Sequence, residues 1–254
     1  MPHYEAAIAA SQGGRRYQED AAAIWPGGNG PPPMLLVLAD GMGGHAGGAT
    51  ASRLVCDTFI EACLAATGET SARLRTALDE ANQSIHRVAA ETPSLSGMGS
   101  TLVGVALGRD GLEWISVGDS PLYLYRAAEI ALLNEDHSLA PALDQMAAEG
   151  RITADEARND PRRHMLRSAV TGEELDLVDL SKKALILEPG DYVILASDGI
   201  HSLEESEIAR VITGYAGDGV EAVAKALVRA VLDVKEPYQD NVTVVVVRRR
   251  PDQE

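Results

Sequence analysis

Acidic residues stand at the edges of several short apolar runs in this chain. Leu35-Leu36-Val37-Leu38-Ala39 ends on Asp40 and passes into Gly41-Met42-Gly43-Gly44-His45. Tyr192-Val193-Ile194-Leu195-Ala196 ends on Ser197-Asp198-Gly199, and Trp114-Ile115-Ser116-Val117 on Gly118-Asp119-Ser120. Glu19-Asp20 precedes Ala21-Ala22-Ala23-Ile24, and Gln239-Asp240-Asn241 precedes the run Val242 to Val247. A short apolar run bounded by turn formers reads as a buried strand. A carboxylate on its end is then held rigidly at the edge of the core. The glycines let the backbone approach whatever the carboxylate holds. One such Asp-Gly pair is only a turn signal, but five acidic strand edges can converge on one rim of a sheet system. Such carboxylates are hard oxygen donors, suited to magnesium, manganese or calcium. No Cys/His zinc spacing occurs. Arg15-Arg16 lies just before Glu19-Asp20. A guanidinium fork matches phosphate oxygens, so this stretch reads either as a phosphate grip beside metal-binding acids or as solvated surface charge.

The elements that must carry these residues follow in order. Tyr4 to Ala10 and Ala21 to Trp25 read as strands, and the Gly/Pro-rich stretch Pro26 to Pro33 as a loop. Ala46 to Ala66 reads as a helix, with Leu54, Val55, Thr58, Phe59, Ala62 and Cys63 on one stripe. A second helix runs from Ser71 to Ala90, with His86 off its apolar face. Strands are expected at Ser100 to Leu107, Leu112 to Val117, Leu122 to Arg126 and Ile130 to Leu133, with turn residues between them. Asp136-His137-Ser138 reads as a helix cap before Leu139 to Glu149, and Thr153 with Glu156 as a capping box for Ala154 to Arg158. Arg158, Arg162, Arg163 and Arg167 form a local basic patch. It could touch an acidic or phosphorylated partner or simply pair with surface acids. Strands return at Leu175 to Leu180, Ala184 to Leu187 and Tyr192 to Ala196, then helices at Glu204 to Thr213 and Val220 to Leu232, then the strand Val242 to Arg248. Runs of strands between helix pairs favour an antiparallel α+β layering over a doubly wound parallel sheet.

Bulk properties narrow the function. The 254 residues fit one large domain, with 45% hydrophobic and 24% charged residues, enough for a core built from aliphatic side chains. The formal net charge of -16 repels phosphate backbones, so no nucleic-acid partner is expected. No apolar stretch is long enough for a membrane span, and no basic-then-apolar leader opens the chain. A cytoplasmic monomer is the expectation. Cys56 and Cys63 on one helix are separated by about 10.5 Å of rise, too far for a disulfide, and read as small buried residues.

Seven blocks, in order, resemble the metal-dependent Ser/Thr protein phosphatases of the type 2C, or PPM, family in their compact bacterial form. They are Arg15 to Asp20, Asp40 to His45, Gly99-Ser100-Thr101, Val117 to Ser120, Asp136-His137-Ser138, Ser197-Asp198-Gly199 and Gln239 to Thr243. The resemblance implies a single catalytic domain over residues 1–254. Its fold would be a four-layer α-β-β-α sandwich, two antiparallel sheets flanked by helix pairs, with a flap insert at residues 139–171. It implies two tightly bound Mn(II) or Mg(II) ions and a third, weaker one. Asp40 would bridge the first two, with the Gly41 carbonyl on one and Asp198 and Asp240 on the other. Glu19 and Asp20 would sit nearby, and Asp119 would share the third ion with Asp198. Arg15 matches the arginine that grips the substrate phosphate, with Arg16 its competitor; Arg162 and Arg163 of the flap are candidates for substrate contact. The implied reaction is hydrolysis of phosphoserine or phosphothreonine in proteins by an activated water, without a covalent phosphoenzyme and opposing a Ser/Thr kinase. The alternatives are a catalytically silent phosphoprotein-binding module and a hydrolase of small phosphoesters. Two departures stand out: Gln18 replaces a common asparagine, and no residue matches the family's general-acid histidine, a role His45 does not inherit.

Overall fold

A computed structural model describes residues 4–27, 34–44, 46–108 and 110–250; His45 and most of the expected Pro26 to Pro33 loop lie outside them. Strands β1 (Tyr4–Ser11), β2 (Asp20–Trp25) and β3 (Met34–Met42) lead into helices α1 (Ala46–Ala65) and α2 (Thr70–Glu91). Then come strands β4 (Gly99–Ser100), β5 (Leu102–Leu107), β6 (Leu112–Val117), β7 (Leu122–Arg126) and β8 (Glu129–Leu132), followed by helices α3 (Ala140–Ala148) and α4 (Ala154–Asn159). The chain continues through β9 (Asp179–Leu180), β10 (Tyr192–Ala196), α5 (Glu205–Tyr215), α6 (Val220–Val234) and β11 (Val242–Arg249). One sheet runs β1-β11-β10-β7-β8 and the other β2-β3-β5-β6-β9, with β4 paired to β3. Every pairing is antiparallel.

The layers follow from the strands' two-residue period. On β3, Leu35, Val37 and Ala39 pack with Val55, Phe59, Leu74 and Leu78 of α1 and α2. Leu36 and Leu38 face the other way, meeting Val193, Leu195, Val245 and Val247 across the sheet interface. On β11 the phase is mirrored: Val242, Val244 and Val246 face Ile208, Ile212, Val223 and Leu227 of α5 and α6. Both faces are buried, so these strands read as unbroken apolar runs. The result is the expected α-β-β-α sandwich.

Three expected strands are trimmed. Ser100 to Leu107 is interrupted at Thr101, opposite Asp40: the Thr101 amide donates to Asp40 O at 2.8 Å, but the Asp40 amide goes to Thr101 Oγ1 at 2.9 Å in place of the Thr101 carbonyl. Leu175 to Leu180 pairs only over Asp179–Leu180. Ala184 to Leu187 meets the sheet only at the bridge Leu112–Leu185, because β9 already takes the neighbouring edge of β6. The capping box forms as expected: Glu156 N donates to Thr153 Oγ1 at 3.1 Å and Thr153 N to Glu156 Oε2 at 2.7 Å. Ser138 Oγ accepts the Ala140 amide at the start of α3. Cys56 and Cys63 are buried thiols, and His86 is exposed. No helix of the described residues is long and apolar enough to cross a membrane.

The chain's one phenylalanine fixes how closely α1 lies on its sheet. A Cβ added at Gly104 of β5 would fall 2.2 Å from Phe59 Cζ. Gly104→Ala is therefore expected to overpack the layer at a cost of about 1–3 kcal/mol. The thermal midpoint should drop by roughly 2–4 °C per kcal/mol; an unchanged melting curve would mean the ring moves aside at no cost.

Candidate metal centre

The acids gather because the strand ends gather. Asp20 opens β2 directly opposite Asp40 near the end of β3. Asp119 follows β6, Asp198 follows β10 and Asp240 precedes β11. Ser197 joins the sheets: its Oγ donates to Asp20 Oδ2 at 2.8 Å and accepts the Thr243 amide at 2.9 Å.

The backbone at Asp40 is pinned by three hydrogen bonds. Its carbonyl accepts from Thr101 N at 2.8 Å and Ser100 Oγ at 2.9 Å, and its amide donates to Thr101 Oγ1 at 2.9 Å. Thr101 Oγ1 in turn lies 2.7 Å from Ser120 Oγ. Asn241 holds the preceding loop: its Oδ1 accepts from Glu19 N at 2.8 Å, while its Nδ2 donates to Gln12 O and Tyr17 O. Gln18 keeps a structural place, with Oε1 accepting the Asp20 amide at 3.1 Å.

The donor set suits a hard divalent cation. Glu19 Oε1 and Asp20 Oδ1 are buried acceptors without a hydrogen-bond partner among the described residues, a costly arrangement unless something positive meets them. Gly48 of α1 leaves room beside them: a Cβ there would fall 2.5 Å from Glu19 Oε1 and 2.9 Å from Gly41 O. That glycine keeps open a cradle flanked by a carboxylate and the Gly41 carbonyl. Among the described residues, no three His, Cys, Asp or Glu side chains are drawn into a finished ion cage.

Burial and mutual repulsion push these carboxyls up. Burial, then Asp198, Asp20, Asp119 and Asp240, push the Asp40 carboxyl well above the usual range. Burial, followed by Asp240, raises Asp198, with His201 opposing the rise. Burial raises Asp20 to about 6 despite its bond from Ser197, with Asp198 and Asp240 adding to the rise. Burial, Asp198 and Asp136 raise Asp119 to about 7.

Arg15 is ion-paired to Asp240 Oδ2 and lines a polar cleft of about 470 Å³ with Asp198, His201, Tyr238 and His164. Arg16 is exposed on the same loop. The flap arginines do not join the cluster. Arg162 grips Asp160 through Nε at 3.0 Å and Nη2 at 2.8 Å. Arg163 grips Asp144 at 2.7 and 2.8 Å. These two arginines are thus paired with the flap's own acids, and His164 is a flap residue that reaches the cleft. Ser197, Thr101, Asn241 and Gly48 went without a role in the sequence reading. For Ser197 and Asn241, the signal was a hydroxyl or amide next to an acid.

An all-oxygen cluster at a sandwich edge, with an arginine beside it, is the donor set of a divalent-metal phosphohydrolase. The sequence matches the protein phosphatase 2C family over residues 13–240, and the chain belongs to that family. It is 34% identical over 218 residues to the serine/threonine protein phosphatase PstP of Mycobacterium tuberculosis, covering 84% of this chain and 40% of that protein. The chain therefore spans less than half the length of that relative. The crystal structure of the M. tuberculosis serine/threonine phosphatase PstP/Ppp superposes with a TM-score of 0.80 at 30% identity, covering 98% of this chain and 99% of that one. A crystal structure of the PstP catalytic domain in complex with two manganese ions gives 0.74 at 29% identity, again covering 98% and 99%.

Proposed function

We propose that this chain hydrolyses phosphoserine and phosphothreonine in proteins at a centre of two manganese or magnesium ions and a third, weaker one. The observation that carries the reading is the set of buried, partnerless carboxylate oxygens of Glu19 and Asp20 beside Asp40, Asp198 and Asp240, next to Arg15. Asp40, the Gly41 carbonyl, Asp198 and Asp240 would hold the pair of ions, with Glu19 and Asp20 behind them. Asp119 and Asp198 would hold the third. Bound there, the ions supply Lewis acidity toward water and the phosphoryl oxygens.

The chain's own residues do the rest. Arg15 leaves its pairing with Asp240 to take two phosphoryl oxygens, which orients the ester and offsets charge that grows in the transition state. Asn241 and Gln18 keep the Arg15 loop in register with Glu19. The cleft is open and polar, which supports a side chain presented on a protein over an enclosed small ester. The chain acts as one catalytic domain with a flap at residues 139–171, as a cytoplasmic monomer opposing a Ser/Thr kinase. Arg16, Arg162 and Arg163 remain outer contacts for the substrate protein, the latter two only if the substrate displaces Asp160 and Asp144.

The test is phosphate release from a phosphothreonine peptide by chelator-treated protein with manganese or magnesium added back. Release should require the metal and exceed that from a free nucleotide. Arg15→Ala should raise KM roughly tenfold or more, the worth of a charged hydrogen-bond pair, with a smaller change in kcat. No release from folded, metal-loaded protein would favour a binding module; preference for the nucleotide would favour a small-ester hydrolase.

A further inference from the structure

Buried His137 clasps the turn that carries Asp119. Gly118 N donates to His137 Nδ1 at 3.2 Å, and His137 N donates to Gly118 O at 3.0 Å. Both peptide groups flanking the Gly118 Cα are thereby fixed, and the second leads directly to Asp119. The turn has no slack on its other side. Gly118 has φ +105, and a Cβ there would fall 2.6 Å from Thr101 Cγ2, the residue that also holds the Asp40 amide.

The same histidine sits at the root of the flap. His137 O accepts from Arg167 N at 2.7 Å, Leu139 N donates to Met165 O at 3.0 Å, and Ser138 bridges Leu166. The returning limb of the flap, Met165 to Arg167, therefore leans on the segment that clasps Gly118. One residue before it, His164 lines the catalytic cleft. With Nδ1 accepting, the imidazole is neutral and its proton sits on Nε2. That atom is buried without a partner among the described residues, so the ring is kept for what Nδ1 does. A leucine would fill the space without burying an unpaired N–H.

We propose that His137 is a positioning residue for Asp119, setting the carboxylate for the weakest-bound ion and tying it to the flap. This rests on the reading of Asp119 as a ligand of that ion. His137→Leu removes the acceptor, whereas His137→Asn keeps an oxygen near the place of Nδ1. Manganese binding is read by calorimetric titration of the chelator-treated full chain, beside kcat for the phosphothreonine peptide against manganese concentration.

His137→Leu should weaken the weakest class of manganese binding about tenfold or more and leave the tight class unchanged. Its kcat should need correspondingly more manganese, and His137→Asn should stay within about threefold of the parent. If His137→Leu does not fold, His137→Gln serves instead, because its oxygen lies one bond too far out for the Gly118 amide. A parental binding isotherm in His137→Leu, equal defects in the Asn and Leu variants, or joint loss of both classes would each overturn the proposal. Asp119→Asn separates the two layers of inference. If it leaves the weak class intact, the assignment of Asp119 fails. If it abolishes that class while His137→Leu does not, only the positioning role fails.

Discussion

Asp40→Asn and Asp198→Asn should each lower phosphate release from the phosphothreonine peptide by at least about a hundredfold, the cost of losing one strong electrostatic stabiliser at a reacting centre. The same substitutions should leave the fold intact and make the metal-free protein more stable. The two effects have one cause. Asp40 and Asp198 are half-buried, and burial and neighbouring acids raise both in pKa. Such crowding serves only if a cation arrives. Asparagine keeps the shape, removes the charge and relieves repulsion, so stability and activity should move in opposite directions. The backbone of Asp40 is held by Ser100 and Thr101 regardless of its carboxylate, which argues against a folding defect. Thermal melts beside the phosphate assay decide it. Activity near that of the parent in either folded variant would mean the ions are held elsewhere.

Much of this was legible in the sequence because burial on both faces leaves a mark. The runs at Leu35 to Ala39 and Val242 to Val247 are apolar at every position but Thr243, so their strands and the acids at their ends stood out. The helix stripes were equally plain. What was not legible depended on contacts between distant segments. Thr101 interrupts a strand because its hydroxyl takes the Asp40 amide, a fact of tertiary placement. The edge of β6 is shared between the short β9 and the bridge at Leu185. The flap arginines looked like a phosphate-seeking patch, yet Asp144, 19 residues before Arg163 along the chain, takes one of them. The clamp by Asn241 links positions more than 200 residues apart. No local pattern encodes that pairing.

The second large effect is a pH dependence whose sign differs from that of ordinary surface carboxylates. A carboxyl with its folded pKa raised holds its proton more tightly folded than unfolded. Its contribution to stability is complete below the unfolded value near 3.8 and is lost as pH rises through the folded value. For Asp20 that loss runs up to about 6 and for Asp119 up to about 7. Asp20, shifted by about two units, loses about 3 kcal/mol, most of it below pH 6, so the fall above pH 6 is carried chiefly by Asp119. Chelator-treated protein should therefore melt at a lower temperature at about pH 8 than at about pH 6. Two sets of groups pull the other way. Burial lowers the His137 and His201 imidazoles, so protonation there costs stability as pH falls, and Asp144 and Asp160, held low by Arg163 and Arg162, cost stability only in stronger acid. Neither removes the fall between about pH 6 and 8. Manganese binds the ionised carboxylates and stabilises by mass action, so adding it should raise the midpoint most at the alkaline end and flatten or invert the profile. Asp119→Asn should remove the upper part of the fall. A metal-free protein as stable at pH 8 as at pH 6 would show that these carboxylates are not crowded in solution, and the two-ion reading would lose its electrostatic basis.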